Sequence, residues 1–90
     1  MQWYKVAMTN DDVVHGRHIE LQDSFCRLQM QSGAPKEAAM YEDKTVVDGA
    51  ILYFSPGAVA IAGAVLKAFG ATECSPPDKD VLVPYVTRDA

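Results

Sequence analysis

Cysteine is scarce in this chain: only Cys26 and Cys74 are present, and neither belongs to a CxxC pair. That scarcity excludes a zinc ribbon or a disulfide framework. It leaves either a single Cys26–Cys74 disulfide or, as expected of a cytoplasmic protein, two reduced thiols. Basic residues are also few, eight Lys and Arg against twelve Asp and Glu, and they are scattered rather than gathered into a stripe. With a net charge of -4 the chain is repelled by phosphate at long range, so neither nucleic acid nor an anionic membrane is an expected partner. No GxGxxG, P-loop or GxSxG signature occurs, and no cofactor is expected. The opening "MQWYKVAMTNDD" has no basic region followed by a long apolar core, which argues against a signal peptide. Gln2 and Ala90 offer no lipidation motif.

What is present is an apolar but interrupted sequence. Its 90 residues are 49% hydrophobic and 22% charged, proportions that predict one globular domain over 1–90. From Gly49 to Leu66 no charge occurs, a window about as long as the shortest membrane spans. Ser55-Pro56-Gly57 divides it. Proline is costly inside a helix but welcome at its first position, and serine is a preferred N-cap. "AILYF" (Ala50 to Phe54) therefore reads as a strand, and Pro56 to Phe69 as a helix that Ser55 opens and Gly70 ends. Each piece is too short to cross a bilayer.

The same signals organise the rest. Trp3 to Met8 reads as a strand, and Thr9 with Asp12 as a capping box. The helix that follows is irregular near Gly16 and stops at Gly33 before Pro35. "EAAMYED" is a weaker strand, Asp48-Gly49 a turn, "ATEC" an extra short strand, "SPPDKD" a loop and Val81 to Thr87 a final strand. The order β-α-β-β-α-β predicts an α+β, two-layer, ferredoxin-like (split βαβ) sandwich, with helices on one face of an antiparallel sheet. Pro84 suits a last strand at the sheet edge.

Apolar residues exceed what two layers need. Ala50, Leu52 and Phe54 alternate with Ile51 and Tyr53, so both faces of that strand are apolar. Trp3, Tyr41, Tyr53 and Tyr85 are strand aromatics that either pack or line an apolar pocket. The first helix carries two stripes: Val14, Leu21, Phe25 and Leu28 on one, and Ile19, Cys26 and Met30 on the other. In the second helix Val59, Ile61, Val65, Leu66 and Phe69 are expected to face the core, with Ala60, Gly63, Ala64 and Ala68 outward. The surplus predicts a homodimer that covers the open sheet face or pairs helices. The competing expectation is a C-terminal segment folded over that face.

No residue pattern names a reaction. The leading expectation is a non-enzymatic module that binds a protein or small apolar ligand at the open sheet face. Trp3, Tyr53, His18 and Gln22 are the candidate ligand contacts. The alternative is a small enzyme with a cleft between sheet and first helix, His18 serving as general acid or base. Ser55 and Gly57 could hold an anion at a helix N-terminus, although capping explains them as well. Asp11, His15 and His18 share a nominal helix face, but capping already accounts for the aspartate and no metal is expected there.

Overall fold

The computed structural model describes residues 2–33 and 38–84. Trp3–Met8 forms β1, whose Val6 and Met8 are buried while Lys5 and Ala7 turn to the opposite face. Thr9 closes the expected capping box: the Asp12 N–H donates to Thr9 Oγ1 (3.1 Å), and the Thr9 N–H to Asp12 Oδ2 (3.0 Å). Where the sequence suggested one irregular helix there are two, α1 (Asn10–Val14) and α2 (Arg17–Gln31). Gly16 stands between them at φ +76°, a left-handed conformation that turns the chain off one helix axis and restarts the helical face. Val14 is consequently 73% exposed, whereas Leu21 and Phe25 of its predicted stripe are buried.

Strands β2 (Met40–Asp43) and β3 (Ala50–Phe54) form a hairpin, and helix α3 (Pro56–Ala68) follows β3 directly. Gly49 has φ +90°, and a Cβ there would overlap the Met8 carbonyl oxygen, so the turn requires glycine. Ser55 does more than cap. Its hydroxyl accepts from the Ala58 N–H (3.3 Å) and from the Ala39 N–H (2.9 Å), while its own N–H donates to Ala39 O (3.0 Å). One side chain thus starts α3 and ties it to the approach to β2. Among the described residues, no helix is long and apolar enough to cross a membrane.

The chain ends with β4 (Thr72–Cys74), a 3-10 turn (Lys79–Val81) and β5 (Leu82–Pro84). All pairings are antiparallel, and the sheet order is β4-β1-β3-β2-β5. The "extra" strand is therefore the one that pairs with β1. The final strand joins the far edge beside β2, where Pro84 interrupts no central ladder. Residues 85–87 of the predicted last strand, with Pro35 and Glu37 of the earlier segment, lie outside the described residues.

The core lies between one sheet face and two helices. Val6, Met8, Met40, Ala50, Leu52 and Phe54 meet Leu21 and Phe25 of α2 and Ala58, Ala62 and Leu66 of α3. Phe25 and Phe54 pack edge to face, centroids 5.4 Å apart. The sequence placed the branched residues of α3 innermost. Leu66 is buried as expected, but beside it the small Ala58 and Ala62 touch the core most closely, with Val59, Ile61, Val65 and Phe69 half-buried against its flanks. Alanine at the contact lets the helix backbone approach the sheet, and the larger neighbours fill the sides. Arg17 completes the helix layer by stacking over Phe69, 4.7 Å from its centroid.

Candidate functional site

Alternation in β1, β3 and β2 sends a second set of side chains away from the helices. One row crosses the whole sheet by direct pairing: Thr72, Lys5, Tyr53, Tyr41 and Pro84. Trp3 stands opposite Cys74, and Asp43 opposite Leu82, on the same face. Trp3 and Tyr41 belong to strands separated by β3, yet their ring centroids are 5.9 Å apart with planes inclined by 37°. The two rings lean together over β3.

The open face is not left bare. Since β4 and β5 occupy opposite edges, residues 75–81 must pass from one to the other, a sheet width of about 19 Å at the usual strand spacing. Pro76 and Pro77 carry this strap over the aromatic face. It is anchored by the Lys44 N–H donating to Val81 O (2.8 Å), and its own turn is held by Asp78, whose Oδ1 accepts the Asp80 N–H (3.0 Å). A cleft of about 550 Å³ remains beneath it. Trp3 and Tyr41 line its sheet side, Pro76 and Pro77 the strap side, and Leu82 and Pro84 the β5 side, with Lys79 as the charged member. Its size lies within the range of small-molecule sites.

The electrostatics around the cleft are asymmetric. Asp43 is held below its ordinary 3.8 because its Oδ1 accepts from the Thr45 hydroxyl (2.6 Å) and N–H (2.9 Å), so it stays charged at neutral pH. Burial, then the negative charges of Asp43 and of an ionised Cys74, push the Tyr53 phenol above 10.0. Burial also raises the Cys74 thiol above 9.0, against the opposing pull of Lys5. A thiol raised in this way is protonated at neutral pH and a poor nucleophile.

The predicted ligand contacts separate into two groups. Trp3 and Tyr53 share the open face. Gln22 is buried in the helix layer and His18 is half-buried in the first turn of α2, on the other side of the sheet. The four do not converge on one cavity. His18 Nδ1 is buried with no hydrogen-bond partner among the described residues. Gly16 splits the nominal metal face, and His15 Nδ1 already lies 2.8 Å from Asp11 O. Among the described residues no group of three metal-ligating side chains is present. Ser55 directs its hydroxyl to Ala39 and Ala58, and Gly57 is half-buried beside it. Cys26 on α2 and Cys74 on the open face lie on opposite sides of the sheet and are not bridged to each other.

Of the residues named from sequence as ligand contacts only Trp3 lines the cleft; Tyr53 does not, Tyr41 had been named only as an aromatic that packs or lines a pocket, and the strap residues Pro76, Pro77 and Lys79 were missed. Their only advance signal was the stiff Pro-Pro step in "SPPDKD". No known protein family, curated protein or solved structure matches this chain. The case for function therefore rests on the cleft.

Proposed function

We propose that the protein is a small, non-enzymatic binding module that takes a flat apolar ligand between the Trp3–Tyr41 ring pair and the proline strap. The cleft carries this reading: about 550 Å³ of space whose lining, among the described residues, supplies rings, prolines, a leucine and one ammonium. Such a lining holds and orients a ligand through shape and desolvation rather than through proton transfer. The enzyme alternative keeps His18 but has lost its aromatic walls to the other face of the sheet.

Trp3 is the only tryptophan, so its indole N–H resonance reports on the cleft alone. Titration with neutral two-ring aromatics is expected to move that resonance saturably, and Tyr41→Ala to weaken the response. Saturable shifts confined to His18 and Gln22, with Trp3 unmoved, would transfer the site to the helix side and refute the reading.

The order β4-β1-β3-β2 supports placing the fold among ferredoxin-like sandwiches, with β5 as an added edge. Two cysteines on opposite sides of the sheet cannot bridge each other within the chain, and so few thiols without a framework fit a reducing, cytoplasmic setting. A second reading, self-association as a homodimer, is favoured by the outer stripe of α2, where Ile19 is 44% and Met30 71% exposed.

A further inference from the structure

We infer that the ligand of this cleft is an aromatic carboxylate, its ring system between Trp3 and Pro77 and its anionic group on Lys79. The inference rests on the cleft being the binding site, and it adds the ligand's charge and shape. Shape follows from the walls. Trp3 and Tyr41 present two rings inclined by 37°, and Pro77 faces them from the strap with a rigid apolar ring. A flat aromatic body meets such surfaces in offset or edge-on contact, and binding rigid walls costs little ordering entropy.

Charge follows from Lys79. Among the described residues it is the only cation lining the cleft, it is exposed, and no carboxylate pairs with it. Its chain neighbours Asp78 and Asp80 do not line the cleft, and Asp78 accepts the Asp80 N–H in the turn. The ammonium is thus available for a charge-assisted hydrogen bond to a bound carboxylate. A trimethylammonium group would also suit aromatic rings, but in this cleft it would sit beside a like charge.

Three probes with one ring system and different charge test this: para-biphenylcarboxylate, para-biphenylmethanol and the para-biphenyl trimethylammonium ion. Each is titrated into the full chain while the Trp3 indole resonance is followed. The carboxylate is expected to bind roughly fivefold more tightly than the alcohol, the scale of one partly solvated ion pair. Lys79→Met, a change at an exposed position, should bring carboxylate binding down to the level of the alcohol measured on the same variant. If carboxylate and alcohol bind equally, if the cation binds best, or if the preference survives Lys79→Met, the ligand class is overturned and the cleft remains. If no probe moves the Trp3 resonance at millimolar concentration, the cleft reading falls with it.

Discussion

At the scale of single residues, the open face is distinguished by a phenol in an unfavourable place to ionise. Tyr53 is flanked across the sheet by Lys5 and Tyr41 and is half-buried, with Asp43 on the same face. Its folded pKa is raised above 10.0, chiefly by desolvation, so the fold favours the neutral phenol. The sign of the linkage follows: this contribution to stability is complete below 10.0 and is lost as pH rises through the folded value. A phenolate absorbance titration of the native protein should therefore show a late component that Tyr53→Phe removes. The denaturation midpoint of Tyr53→Phe should also fall less steeply than that of the parent above pH 10.0. Identical titration curves for the two proteins would show that burial around Tyr53 is not what the packing implies. Trp3, Tyr53 and Tyr41 were recognisable in the sequence as residues of alternating strands. That Trp3 and Tyr41 touch across an intervening strand was not, because ring lean depends on what lies above the sheet.

At the scale of elements, helix α3 shows how periodicity can find a helix and misjudge its deepest row. Ser55, Pro56 and Gly70 marked its ends correctly, since caps act locally. The bulky residues were assigned inward because hydrophobicity favours them, but Ala58 and Ala62 occupy the tightest approach to the sheet. Ala62 also departs from helical geometry (φ -131°, ψ 18°), beside Gly63, which turns the second half of the helix relative to the first. Ala62→Leu should destabilise the protein by about 1–3 kcal/mol through overpacking. Ala64→Leu, one residue pair away on the exposed side, should change stability by less than about 0.5 kcal/mol. Chemical denaturation of the two variants decides the matter, and equal effects would return the branched row to the core. The break between α1 and α2 has a similar lesson. Gly16 was visible as an irregularity, yet its left-handed conformation is what removes Val14 from the apolar stripe.

At the scale of the whole molecule, the apolar surplus is divided between two places. The strap, a connection between β4 and β5, takes up part of the open sheet face and leaves the cleft. The outer stripe of α2 keeps its surplus in solvent. If that stripe pairs two copies, light scattering should report twice 9.8 kDa at micromolar concentration, and Met30→Glu should return the mass to 9.8 kDa. A mass of 9.8 kDa for the parent at all concentrations would leave the stripe as ordinary exposed surface. Ligand binding at the cleft is independent of this outcome, because sheet and core separate the two surfaces.

The sequence by itself determined the local matters: where β1 and β3 begin and end, where α3 starts, the division of the uncharged Gly49–Leu66 window, and the two-sided apolar character of β1 and β3. These depend on proline, glycine, capping side chains and alternation, whose effects reach only a few residues along the chain. Tertiary structure alone decided which short strand pairs with β1, which edge receives β5, and therefore that "SPPDKD" crosses the aromatic face. Three-residue strands carry too little pattern to specify a partner, and either edge offers them unpaired backbone groups. The choice falls to long-range packing: α3 lies on the core face and leads from β3 to β4 beside β1, and the segment after β4 returns past Trp3 and Tyr41 to β5, with the cleft between.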